Sequence, residues 1–248
     1  MKALIGANDP KPVRLVGAAL APGPFVLLGD HAGNAIPDRL DALGLPVPEL
    51  ERHIAIDIGS RALGDALAAR LDAPFVSQRY SRLVIDCNRK PADPTAIAEV
   101  SDGTRVPENA GLSEADRKAR VDEVFEPYHG AIADLLDARA AAGLASVAVS
   151  LHSFTPQMKG FARPWEVCVL HDGREDAFAR RMLEALHRTG YAIGDNEPYK
   201  MDDTDYTLPR HAYPRGMPYV EIEVRQDLLP TRADEIAALL ADVFGQAL

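Results

Sequence analysis

Short apolar runs, set between stretches of helical periodicity, constrain this chain more than anything else in it. Phe25–Leu28, Pro74–Ser77, Leu83–Ile85, Val147–Leu151, Val167–Leu170 and Tyr219–Val224 have the length and composition of buried strands. Between them, Ile58–Leu71 places Ala and Leu at helical spacing. Ser113-Glu114-Ala115-Asp116 has the form of a helix N-cap and opens a helix to about Ala142, kinked near Pro127. Asp176–Arg188 reads as an amphipathic helix, and Thr231 as the cap of a last helix through about Phe244. Strands that alternate with helices predict one α/β domain over residues 1–248, with a central mixed, mostly parallel sheet flanked by helices. Lys90–Asn109, with Pro91, Pro94, Gly103 and Pro107, reads as a long surface loop of the kind that often carries function.

Composition narrows the possible partners. The 37 acidic against 27 basic residues leave a net charge of −10, which argues against nucleic acid and against an anionic membrane surface. No segment is apolar enough to span a bilayer and no cleavable leader stands at the N-terminus, so the expected compartment is the cytoplasm. The two cysteines, Cys87 and Cys168, sit in apolar runs outside any C-x-x-C pair and are expected in the core.

Ligands in open α/β sheets bind at the carboxyl ends of strands, and polar residues collect there. Asp30-His31-Ala32-Gly33-Asn34 follows the first run, Asp86-Cys87-Asn88-Arg89 the third and His152-Ser153 the fourth, while Glu221 and Glu223 lie on one face of the last. Neutral imidazoles with a carboxylate suit a zinc ion that keeps a position open for water. A free carboxylate can shuttle a proton to a leaving nitrogen, and a guanidinium can grip a substrate carboxylate. Each group also has a plainer reading. A histidine after a strand can be a cap, Asp86 with Arg89 can be a turn with an internal ion pair, and alternating glutamates can be a solvated face. His129, His171, His187 and His211 read as structural or exposed. Ser153 lacks the G-x-S-x-G setting of a serine nucleophile.

Longer stretches add a resemblance. Asp30–Pro37, His53–Gly59, Tyr80–Arg89, Leu151–Phe154, Arg163–Trp165, Asp195–Tyr199 and Glu221–Gln226 resemble, in order, the N-formylglutamate amidohydrolase family. That family is similar in turn to zinc carboxypeptidase-like deacylases. The resemblance implies a phosphorylase/hydrolase-like fold and a zinc-dependent hydrolase, with another divalent metal as the alternative. Its substrate would be a small anionic N-acyl amino acid, foremost N-formylglutamate, cleaved to formate and glutamate. Carried over by motif, His31 and His152 are expected to bind the metal and Asn88 and Arg89 the substrate carboxylate. Glu223, rather than Glu221, is expected as the base, with Arg82 or Arg163 at the oxyanion. The carboxypeptidase pattern H-x-x-E has Asn34 at its glutamate position, so the third ligand is expected to be Asp57, with His53 as the alternative. Other N-acyl amino acids, small peptides, or a binding protein without turnover are the rival readings.

Overall fold

The computed structural model describes residues 3–248. Seven strands form one sheet: β1 (Val13–Val16), β2 (Phe25–Gly29), β3 (Phe75–Gln78), β4 (Val147–Phe154), β5 (Val167–Leu170), β6 (Ile193–Asp195) and β7 (Tyr219–Arg225). Their order across the sheet is β1-β3-β2-β4-β7-β5-β6. The four central strands, β3, β2, β4 and β7, run parallel; β1 at one edge and β5 with β6 at the other run against them. The chain is therefore the expected α/β protein with a mixed, mostly parallel sheet.

Helices cover both faces, so the central strands are apolar on both sides. α1 (Ser60–Leu71), α4 (Ala177–Leu186) and α5 (Leu229–Ala247) cover one face, over Leu27, Phe75, Val149, Ile222 and Val224. α2 (Glu114–Arg120) and α3 (Glu126–Ala141) belong to the other, where Val26, Leu28, Ala148 and Cys168 form a second apolar layer with Phe125 and Tyr128. Ser113 caps α2 by accepting from the Asp116 amide, and a π-helical turn, Val121–Phe125, separates α2 from α3 just before Pro127. Both cysteines are free and buried. No helix of the described residues is long and apolar enough to cross a membrane.

Four expectations need correction. Leu83–Ile85 is buried but forms turns and pairs with no strand. Its carbonyls are taken by side chains instead: Leu83 O accepts from Asn109 Nδ2 and Val84 O from the buried Arg120. The fourth run extends to Phe154, so His152 and Ser153 stand within a strand rather than beyond one. The last helix starts at Leu229, with Pro230 in its first turn, but it is broken at Arg232 (φ −125°, ψ 16°), directly after the expected cap Thr231. Edge strands β1 and β6 carry no strong apolar run and were not expected. The Lys90–Asn109 segment contains two short 3-10 turns and a hairpin, Val100–Ser101 against Thr104–Arg105.

Asn109 and Arg120 fasten the segment that delivers Asp86, Asn88 and Arg89. Asn109 Nδ2 donates to Leu83 O at 3.0 Å and Ala98 O at 2.8 Å, and its Oδ1 accepts from Arg120 at 2.6 Å. Asn109→Ala leaves these buried partners unsatisfied, so urea unfolding should show a loss of about 3 kcal/mol. A loss below about 0.5 kcal/mol, the range of an ordinary surface substitution, would show that the segment is held by other contacts.

Candidate active site

The parallel strands bring the polar residues to one end of the sheet. β2 ends at Gly29, and Asp30 and His31 leave it directly. His152 on β4 and Glu223 on β7 are register partners, as are Ser150 and Glu221 one step deeper. All four lie on the face that continues the Val26–Leu28–Ala148 layer, because alternate residues share a face. Two loops pack closely here. A Cβ on Gly33 would lie 2.1 Å from Arg79 O, so only glycine lets the turn after β2 reach the turn after β3. Asp57 is drawn to the same point by its own backbone, whose amide donates to His31 O at 3.1 Å.

His31, Asp57 and His152 form the cluster that could hold a metal ion. His31 Nδ1 lies 3.2 Å from His152 Nδ1 and 3.4 Å from Asp57 Oδ2, and His152 Nδ1 lies 2.9 Å from the same oxygen. Tetrahedral zinc with bonds of about 2.0–2.1 Å sets its ligands about 3.3 Å apart, so the triangle has the dimensions of one face of such a site. The opposite ring edges are held too. His31 Nε2 donates to Asp86 Oδ1 at 2.7 Å, which leaves its Nδ1 with a lone pair. His152 Nε2 is 2.9 Å from Ser150 Oγ and 3.5 Å from Asp30 Oδ2. Carboxylates behind metal-ligating imidazoles fix ring orientation and raise ligand basicity.

Charge balance agrees with that fit. Asp30, Asp57 and Asp86 are buried, and Arg82 is the guanidinium paired among them, to Asp57 at 3.2 Å and Asp86 at 2.7 Å. With neutral imidazoles two negative charges remain, which one divalent cation would balance. Burial opposes ionisation of Asp86, but Arg82 and His31 hold its carboxyl well below the usual range. Burial likewise disfavours a charged His152, yet Glu221, Asp30 and Asp57 raise it well above the ordinary histidine value. The cluster thus attracts positive charge even without a metal.

The remaining expected residues are placed as follows. Glu223 is buried, lines the cavity beside the cluster, and its Oε2 has no hydrogen-bond partner. Burial pushes both Glu221 and Glu223 up to about 8. Arg82, Asn88 and Arg89 line the same cavity, of about 300 Å³. Asn88 is largely committed: its Oδ1 accepts from the Tyr206 and Thr207 amides, and Nδ2 donates to Asp205, leaving one amide N–H. Arg89 donates to Asn88 O and Thr204 O, pairs with Asp205 Oδ1 at 3.4 Å and keeps donors free. Arg163 borders an adjoining cavity instead. His53 lines the first cavity but pairs with Asp102 at 3.4 Å, outside the cluster. Asn34 turns away, donating to Leu50 O.

Sequence reasoning missed Asp30 and Thr207 as supports, with Thr207 Oγ1 donating to Asp30 at 2.8 Å. It also missed the wall formed by Tyr199, Lys200, Asp202, Thr204 and Asp205. The Asp195–Tyr199 motif was the available signal for that wall.

This site lies at the carboxyl ends of parallel strands in an α/β sheet, the setting of a hydrolytic centre with a candidate metal cluster. Residues 23–229 match the model of the N-formylglutamate amidohydrolase family, and the chain belongs to that family. Membership supports amide hydrolysis. A gene product from Agrobacterium tumefaciens is 35% identical, with a TM-score of 0.95 over 98% of this chain and 97% of that one. N-formylglutamate amidohydrolase from Ralstonia eutropha is 18% identical and shares the fold, with a TM-score of 0.67 over 95% of this chain and 98% of that one. No curated protein matches the chain.

With the triangle as the metal site, His31→Ala, Asp57→Ala and His152→Ala should each lose a stoichiometric divalent metal, while His53→Ala keeps it. Asp86→Asn should weaken metal affinity about 10–100-fold, the usual cost of losing a ligand's support. Full metal content in all three ligand variants would place the metal elsewhere.

Proposed function

We propose that the protein is a zinc-dependent amidohydrolase that removes the formyl group from an N-formyl amino acid, with N-formyl-L-glutamate the leading substrate. The triangle of His31 Nδ1, His152 Nδ1 and Asp57 Oδ2, backed by Asp86 and Asp30, carries this reading. Bound there, the metal supplies Lewis acidity, which polarises the formyl carbonyl and makes a water acidic enough to attack near neutral pH.

The chain's own groups do the rest. Glu223 is the proton carrier. Its Oε2 is unpartnered on a residue that lines the cavity, and burial makes it a stronger base than a surface glutamate. It takes the proton of the attacking water and returns it to the nitrogen as the C–N bond breaks. Arg82 is held by Asp57 and Asp86 at the cavity wall, where its remaining N–H groups can stabilise the oxyanion. Arg89 and the free amide N–H of Asn88 take the α-carboxylate, while the other bonds of Asn88 position the 204–207 wall. A small cavity edged with guanidiniums explains how a chain of net charge −10 can bind an anionic substrate.

Two substitutions separate chemistry from binding. Glu223→Gln should keep metal and substrate affinity and lower kcat by about 10²-fold or more, as expected for loss of a general base. If Glu221→Gln has that effect and Glu223→Gln does not, the base is Glu221. Arg89→Lys keeps the charge and loses the planar fork, so kcat/KM should fall about ten- to a hundredfold, mainly through KM. An unchanged KM would make Arg89 a structural residue that ties Thr204 and Asp205 to Asn88.

A further inference from the structure

The metal-cluster cavity is not closed on all sides. His53, Arg82, Arg89 and Tyr199 also line a second cavity, of about 510 Å³, so the two share a wall. The first cavity, at about 300 Å³, is at the small end for ligand sites and suits a molecule the size of a formylated amino acid. The second is larger, and nothing in the proposed reaction of N-formylglutamate uses its far part.

Its lining is chemically mixed. Ile54, Leu83, Ala98, Val100 and Met158 make an apolar side. Lys159, exposed at the rim, and Arg163, buried deeper, add positive charge beyond the shared Arg82 and Arg89. Arg163 is 7% exposed and has no carboxylate partner among the described residues. Its guanidinium donates to Thr155 Oγ1 at 3.1 Å and Tyr199 Oη at 3.0 Å, and lies 4.9 Å from the Tyr199 ring centre. Those contacts hold the group flat and leave N–H donors unused. The charge of Arg163 reaches the Glu223 carboxyl, and its unused N–H donors can still take a carboxylate that enters the second cavity. The carboxylates on the cavity wall are already matched: Asp86 with Arg82, and Asp102 with Arg52.

We infer that the second cavity receives a further residue of the substrate, so that the substrate class is N-formyl dipeptides with a free C-terminal carboxylate. The formylated residue would occupy the first cavity. The peptide bond would pass the Arg82–Arg89 wall, the second side chain would meet the Ile54–Val100 side, and its carboxylate would reach Arg163. A long acyl chain on the nitrogen would fill the apolar side but leave Arg163 unpaired, so the charge favours the dipeptide. The reaction is unchanged: water adds to the formyl carbon, the C–N bond breaks, and the nitrogen leaves protonated. This inference rests on the deformylase reading and deepens it.

The test compares N-formylglutamate, N-formyl-Glu-Leu and its C-terminal amide on the metal-loaded protein, wild type and with the second cavity filled by Ala98→Trp or, separately, Ser101→Trp. Binding of Glu-Leu and of glutamate to the metal-free protein is measured by calorimetry alongside. The dipeptide should have the higher kcat/KM. Amidation should cost it about tenfold or more, the loss of a hydrogen bond between charged groups. Each filling variant should cost the dipeptide at least as much while N-formylglutamate stays within about twofold, on the scale of a change outside its contacts, which also shows that the variant is folded. Equal rates for the two substrates, or equal losses in the filled variants, overturn the inference and leave the deformylase reading intact. If no formyl compound turns over, that reading fails, and calorimetry decides the cavity. Glu-Leu binding that exceeds glutamate and is lost on filling supports the assignment, and binding indifferent to filling refutes it.

Discussion

Two imidazole nitrogens and one carboxylate oxygen, drawn within 3.4 Å of one another in a buried pocket, are the constraint around which the rest of the structure is arranged. Polar atoms this close and this dry need a shared positive charge. The surroundings are built to favour one: Asp86 behind His31, Asp30 and Ser150 behind His152, with Arg82 paired to Asp57 and Asp86. Each support has a support of its own. Thr207 holds Asp30, the Asn88 backbone N–H donates to Asp86, and the Asp57 backbone N–H donates to His31 O. Such layering confers precision on the donor atoms, because each side chain has few rotamers left.

The fold supplies the coarse positions and the loops the fine ones. Register between β4 and β7 places Glu223 beside His152 without any loop contribution. Asp57, Asp86 and Arg82 come from irregular chain, and irregular chain needs its backbone groups satisfied. Ser81 Oγ on Ala55 O, Asn109 on Leu83 O and Arg120 on Val84 O do this by side chains where a sheet would use strands. The stability of the segment and the geometry of the site are therefore one property.

Much of this was legible in the sequence. The parallel core strands announce themselves by length and apolar content, and the alternation of Glu221 and Glu223 correctly puts both on one face. His31, Asp57 and His152 could be named as a set only through the resemblance, because their spacing in the chain fits no short metal motif. The geometry now brings those three together and leaves His53 with Asp102. Leu83–Ile85 misled because burial alone makes a run apolar, and a strand is only one way to satisfy a buried backbone. Asp30 and Thr207 were not legible as a pair: 177 residues separate them, and no local pattern records a contact that the tertiary fold creates. Arg163 was expected as an alternative to Arg82 at the oxyanion, and its place at a second cavity was not legible.

The central claim is that the metal sits on the Nδ1 atoms of both histidines, with their Nε2 atoms turned to Ser150 and the carboxylates behind. Anomalous diffraction at the zinc absorption edge, from crystals of the protein grown with zinc, tests it most directly. The account predicts one strong peak about 2.0–2.2 Å from His31 Nδ1, His152 Nδ1 and Asp57 Oδ2, as zinc chemistry requires. A peak bonded through Nε2, or centred on another group of residues, would contradict it.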